Sequence, residues 1–265
     1  MPAPESAARR LLNALRSALY LLWLVVTVIP YGLAALLLSL VVRGRVLYRF
    51  CVGWAGLALW GARAICGIEW RVHGRERLPQ GAAIVLVKHQ SAWETLALPL
   101  LLPRDLSYVF KRELLMVPFF GWALGRLDMV HIDRKRGARA FTRLQQQCDE
   151  LLRKGYWIVM FPEGTRTPRG HQGKYKPGGA KLATVTGTPV VPIAVTSARC
   201  WPRQAFIKRP GVIDVSIGEP IAPDGLGAAE LGARVQQWIE AEMRRLDPEA
   251  YADDTPAGSA DAAVR

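Results

Sequence analysis

His89 and Glu94, five positions apart in "KHQSAWE", are the first residues whose types and spacing suggest chemistry. A neutral imidazole takes up a proton near neutral pH, and a carboxylate on its other nitrogen fixes the tautomer and stabilises the imidazolium. The apolar run 82–87, "AAIVLV", reads as a buried strand, so His89 stands at its carboxyl end, where α/β folds present functional groups. Within one helix, residues five apart point about 140° away from each other. The pair therefore meets only if His89 lies outside the helix and Glu94 in its first turn. The stretch Ser91-Ala92-Trp93-Glu94 also matches a capping box, with Ser91 as N-cap and Glu94 at N3 reaching back to the Ser91 N–H. On the pattern alone both readings stand.

Two further stretches could hold a phosphate. Lys111-Arg112 follow the strand-like "LSYVF" (106–110) and precede the turn Pro118-Phe119-Phe120-Gly121. They read either as a clamp beside an apolar surface or as a solvated basic turn. The strand-like "YWIVMF" (156–161) runs into Pro162-Glu163-Gly164-Thr165-Arg166. There Gly164 permits close backbone approach, Thr165 offers a hydroxyl and Arg166 a planar fork for phosphate. A plain surface loop would explain the basic residues but not a glutamate directly at a strand end. No His-Glu-x-x-His pattern and no cluster with ligand spacing is present, so no metal is expected. Walker-type loops and Gly-x-Ser-x-Gly elbows are absent too. The four cysteines (51, 66, 148, 200) lack metal spacing and read as reduced, packed thiols in a cytosolic setting.

The elements that must position these groups alternate. Strand-like runs at 69–73, 82–87, 106–110, 129–132, 156–161, 190–195 and 212–217 are separated by helical patterns at 91–101, 118–126, 137–153, 178–187 and 228–246. That order predicts an α/β fold, a layered mixed sheet flanked by helices, over 69–250. Pro192 inside "VVPIAV" predicts an edge strand or a bulge. Residues 251–265 are small and polar, a disordered tail. No internal repeat is seen.

The first 68 residues read as a membrane-associating helical segment. Residues 18–42 carry no charge over 25 positions, enough to span a bilayer. The run is too long for a usual signal-peptide core and lacks a small-residue cleavage site after it, so it is expected to be retained. Arginines flank both ends, so the positive-inside rule gives no orientation. Pro30-Tyr31-Gly32 would break the run into a re-entrant or interfacial hairpin, or kink a single span. Residues 46–68, with Arg49 and Arg63 amid aromatics, read as an amphipathic interfacial helix or as a helix packed on the domain. A net charge of +13 beside 51% hydrophobic residues favours an anionic lipid surface. No nucleic-acid motif is recognisable, so no nucleic-acid partner is expected.

Taken together and in this order, these stretches resemble the glycerolipid acyltransferase family, in particular bacterial 1-acyl-sn-glycerol-3-phosphate acyltransferases. A His, four residues and an acid are matched by His89 and Glu94, and a basic segment ending in Pro and Gly by Lys111, Arg112, Pro118 and Gly121. The Phe-Pro-Glu-Gly-Thr-Arg segment is matched from Phe161 to Arg166, and a Pro-bearing apolar strand from Val190 to Ala194. "IDR" at 132–134 and Lys176-x-Gly178 add to the likeness, which covers roughly residues 66–220. One departure is the acid: Glu94 is a methylene longer than the usual Asp. The resemblance implies acyl transfer from acyl-CoA or acyl-carrier protein to the sn-2 hydroxyl of lysophosphatidic acid, with no cofactor. It implies His89 as base and Glu94 as its orienting acid. Lys111, Arg112 and Arg166 would hold the acceptor's phosphate, with Glu163, Gly164 and Thr165 near its glycerol part. Such an enzyme sits at the inner (cytoplasmic) membrane with its catalytic domain facing the cytoplasm. Another lyso-lipid acceptor, such as lyso-ornithine lipid, would use the same pair, whereas a basic membrane-anchored binding protein would leave the ordered motifs without a purpose.

Overall fold

The computed structural model describes residues 6–132 and 137–254. Asp133 and Arg134 of the "IDR" stretch and residues 255–265 lie outside the described residues, whereas 251–254, expected to belong to a disordered tail, end a 3-10 helix (Pro248–Asp254) in which the Tyr251 ring is buried against the domain. Seven strands, β1 (Ile68–His73), β2 (Ile84–Val87), β3 (Leu106–Lys111), β4 (Val130–Ile132), β5 (Trp157–Met160), β6 (Val190–Val195) and β7 (Gly211–Ile217), form one sheet. Its order is β1-β7-β6-β2-β5-β3-β4. From β6 to β4 the neighbours are parallel, β7 runs antiparallel to β6, and β1 is parallel to β7. All seven runs read from the sequence are strands, and the sheet is mixed as expected.

Alternation along the strands builds two cores. Val85, Val87, Val159, Val191 and Ile193 face one side, with Tyr20, Tyr48, Leu59 and Trp93 from α1 (Ala7–Leu38), α2 (Arg45–Cys66) and α3 (Trp93–Leu101). Ile84, Leu86, Ile158, Val190 and Ala194 face the other. They meet Leu144, Leu182, Val235 and Ile239 from α5 (Gly137–Arg153), α6 (Gly178–Thr186) and α7 (Ala228–Leu246). A short helix, α4 (Phe120–Leu124), packs on α1.

Two prolines each rule out one of the alternatives read for them. Pro30 lies within α1, which runs unbroken for 32 residues. Contacts on both sides of it outweigh the lost hydrogen bond: Trp23 Nε1 donates to Leu57 O and the Tyr31 hydroxyl to Phe50 O, while Gly32 lies against Phe119. The chain reverses instead at 39–44, and α2 returns along α1. Pro192 is in β6, an interior strand, and not at an edge. The β6–β7 register pairs Ile193 with Ile217 and resumes at Val190 with Ile221, so residues 191–192 face 218–220: a bulge at Pro192, whose carbonyl accepts from Gly218 N–H at 2.9 Å. A Cβ on Gly218 would stand 2.8 Å from the Pro192 ring and 2.7 Å from Trp238, so glycine makes room for both.

α2 is the packed helix of the two alternatives. Leu47, Tyr48, Ala58, Leu59 and Ala62 are buried between α1 and the sheet, and Gly67 in the left-handed region (φ 68°) ends the helix. α1 is two-faced along its whole length. Asn13, Ser17, Tyr20, Gly32 and Ala35 are buried, and Ser17 Oγ accepts from Lys208 N–H. On the opposite face Leu11, Leu15, Leu19, Leu22, Val26, Ile29, Leu33 and Leu37 are exposed.

Candidate active site

Because β2, β5, β3 and β6 are parallel neighbours, their carboxyl ends share one edge of the sheet. That edge collects His89 after β2, residues 161–166 after β5, Lys111-Arg112 at the end of β3 and Ser197 after β6. Side-chain parity then divides the groups. Lys88, in step with Ile84 and Leu86, turns to the α6–α7 side, whereas His89 follows Val85 and Val87 to the side of α3.

His89 Nδ1 lies 3.0 Å from Glu94 Oε1. The same oxygen accepts from Gln90 N–H and Ser91 N–H, each at 2.7 Å. Capping and pairing are therefore one arrangement, not alternatives. The helix proper begins one residue later than the capping pattern suggested: Ala92 is its N-cap, and Ser91 Oγ accepts from Trp93 N–H at 2.8 Å. With its extra methylene Glu94 still reaches the imidazole. Burial alone would raise the Glu94 carboxyl. The His89 hydrogen bond and charge, the Ser91 N–H and the Ser197 hydroxyl outweigh it and hold the group below the ordinary carboxylate value. An ionised Glu94 places the proton on Nδ1 and leaves Nε2 as the basic lone pair. The imidazole stacks on Phe161, centroids 3.8 Å apart and planes 18° off parallel, and keeps 13% of its side-chain surface exposed.

The main chain of His89 is gripped from the β5 side. Its N–H donates to Glu163 Oε2 at 2.9 Å, and its carbonyl accepts from Thr167 N–H at 2.7 Å and Thr167 Oγ1 at 3.1 Å. Glu163 differs from its expected place beside the substrate. Its side chain has no exposed surface, and its other oxygen accepts from Lys88 Nζ at 2.8 Å and Gly173 N–H at 3.2 Å. A carboxylate at a strand end is drawn inward when the neighbouring strand buries a cation. Gly164, with φ 68°, makes the turn that follows, donating to Phe161 O. Thr165 is exposed and Arg166 half-buried; Lys111 and Arg112 are exposed on the same edge. These four keep their side chains outward, where a solute could reach them.

Sequence reasoning missed Lys88, Glu240, Tyr175, Thr167 and Ser197. Lys88 was open to inference: parity in an apolar strand puts it on a buried face, and a buried cation requires carboxylates. Glu240, 152 positions away, carried no such mark.

Residues 69–196 match the family model described as Acyltransferase. A 1-acyl-sn-glycerol-3-phosphate acyltransferase of Pseudomonas aeruginosa is 40% identical over 89% of this chain and 93% of its own. The alpha enzyme of that name from Homo sapiens is 30% identical over 64% of this chain and 61% of its own. The crystal structure of the 1-acyl-sn-glycerophosphate acyltransferase from Thermotoga maritima superposes with a TM-score of 0.74 at 25% identity, covering 90% of this chain and 98% of the other. Shared sequence across almost the whole length, the shared fold and an acyltransferase match spanning both motifs agree: the chain belongs to the 1-acyl-sn-glycerol-3-phosphate acyltransferase family, and it is an O-acyltransferase.

Proposed function

We propose that this enzyme transfers an acyl group from a thioester, acyl-CoA or acyl-carrier protein, to the sn-2 hydroxyl of 1-acyl-sn-glycerol 3-phosphate, forming phosphatidic acid in phospholipid biosynthesis. The observation that carries the reading is the 3.0 Å contact of His89 Nδ1 with a buried, ionised Glu94. An alcohol is a poor nucleophile at neutral pH and needs a base at hydrogen-bond distance. His89 Nε2 takes the hydroxyl proton as the oxygen attacks the thioester carbon. When the tetrahedral adduct collapses, the C–S bond breaks and the imidazolium returns the proton to the departing thiolate. Glu94 stabilises the imidazolium between these steps. The acceptor supplies the nucleophile, so the enzyme needs none of its own and no further cofactor. Lys111, Arg112 and Arg166 hold the phosphate, with Gly164 and Thr165 beside the glycerol, while Glu163 serves from behind by holding His89.

The acceptor is a lipid, and α1 supports delivery from a membrane. At 1.5 Å per residue its 32 residues run about 48 Å, longer than the roughly 30 Å hydrocarbon core. One face is docked along that length and the other is a continuous apolar stripe. The helix lies in the membrane surface with the stripe immersed. Leu40 and Val41 at the hairpin tip, 72% and 83% exposed, join Leu114, Met116, Val117 and Trp122 in facing the lipid. The catalytic domain then lies against the cytoplasmic leaflet of the inner membrane, drawn there by its net positive charge.

Purified enzyme offered lysophosphatidic acid with each donor tests the reaction. Phosphatidic acid forms, and His89→Ala abolishes it. Arg166→Ala raises the apparent KM for the acceptor, a loss on the order of 1.5–3 kcal/mol for a charge-assisted bond, and leaves the donor's KM in place. Equal turnover of a phosphate-free acceptor such as lyso-ornithine lipid would overturn the assignment of the clamp.

A further inference from the structure

Behind the histidine, on the opposite face of the sheet, lies a set of charges that acyl transfer itself does not call for. The Lys88 side chain is wholly buried, and its ammonium has three acceptors for its three N–H groups. These are Glu163 Oε1 at 2.8 Å, Glu240 Oε1 at 2.8 Å and His171 O at 3.1 Å. Glu240 belongs to α7, the last long helix, is 3% exposed, and takes a further bond from the Tyr175 hydroxyl at 2.9 Å. Burial, reinforced by the Glu240 and Glu163 charges, pushes that hydroxyl upward, so Tyr175 remains a donor.

Removing three ionisable side chains from water is costly, and apolar replacements of similar volume often do as well or better for stability. This cluster is therefore poorly explained as packing alone. Its geometry leads in one direction. The two oxygens of Glu163 are divided between Lys88 and the His89 N–H, so the carboxylate can be aimed at His89 only while Lys88 stays in place. Lys88 in turn is held between two carboxylates from different elements. We propose that Glu240 is a positioning residue for acyl transfer, acting on the His89 main chain through Lys88 and Glu163. With Glu240 neutral, Lys88 is drawn to Glu163 alone, the carboxylate turns off the His89 N–H, and the imidazole loses its alignment with the acceptor hydroxyl. The C-terminal helix is thereby part of the catalytic apparatus without touching substrate.

This rests on His89 being the base, so His89→Ala is measured alongside: an active His89→Ala enzyme sinks that reading and leaves the relay without a target. Glu240→Gln, nearly isosteric, is the test in the full chain. It is expected to lower kcat by about ten- to a hundredfold, the effect of a small misplacement, with KM for acceptor and donor unchanged. Val235→Ala, an apolar position on the same helix five residues before Glu240 and with no hydrogen-bonding group in the relay, is the control for destabilisation. It should lower the melting temperature at least as much and leave kcat within about twofold. In a cycle of Glu240→Gln with Lys88→Met, or with Glu163→Gln should Lys88→Met fail to fold, the double variant should be little slower than the slower single one. Wild-type kcat in Glu240→Gln, a Val235→Ala enzyme that slows as much, or effects that multiply in the double variant would each overturn the relay.

Discussion

Glu94 Oε1 accepts from the His89 ring and from two main-chain N–H groups, so a single atom both opens α3 and sets the tautomer of His89, the proposed base. Glu94→Gln separates the two duties, because an amide oxygen still accepts from the main chain but carries no charge. Turnover is expected to fall by about 10²-fold or more, the range of general-base effects, while the variant stays folded. The pH dependence of stability has a definite sign. The folded-state Glu94 carboxyl titrates below its unfolded value, so its contribution is present at neutral pH and lost as pH falls through that lowered value. Urea unfolding should therefore show wild type above Glu94→Gln near pH 7, with the gap closing on acidification. A gap that widens in acid, or wild-type turnover in Glu94→Gln, would reduce Glu94 to a cap.

Pro192 and Gly218 show how far an element can be read from its own residues. A Cβ at 218 would press on the Pro192 ring and on Trp238 of α7 together, so Gly218→Ala should destabilise by about 1–3 kcal/mol in chemical denaturation. Gly81→Ala, with nothing within 4 Å of the added carbon, should change stability by no more than about 0.5 kcal/mol. Indifference to both changes would mean that β6 is not held as described. Strands and helices were legible because burial leaves a period of two or 3.6 along the chain, and the His89–Glu94 pair because strand, turn and first helical turn are adjacent in sequence. Pro192 signalled the bulge that is found, but not that β6 lies inside the sheet, because strand order is not written locally. Pro30 left a break and a continuous helix both open for the same reason, since the contacts that carry α1 past it come from α2 and α4. Glu240 lay out of reach for the same reason: its partner is set by how α7 lies over the sheet.

For the molecule as a whole, the proposed contact with lipid rests on the exposed face of α1. Leu22 and Val26, 58% and 57% exposed on that stripe, are not needed by the core. Their joint replacement by Glu should lower binding to anionic vesicles in co-sedimentation, and turnover of vesicle-borne acceptor with it. The melting temperature and turnover of detergent-dispersed acceptor should hold. Unchanged vesicle binding would place the membrane contact elsewhere. Deleting the first 66 residues is a poorer test, because Tyr20, Tyr48 and Leu59 belong to the core shared with the strands. β1 pairs along its length with β7, Ile68 opposite Gly211, and α1 is pinned through Ser17 to Lys208. During synthesis the sheet therefore cannot close, nor α1 find its final seat, until well over a hundred further residues have been made, roughly 10–30 s at translation rates. Through that interval α1, with its apolar stripe, is out of the ribosome and the sheet it packs on is incomplete. On the membrane contact proposed above, the bilayer is the partner at hand, and the enzyme would reach its lipid before it has an active site with which to use it.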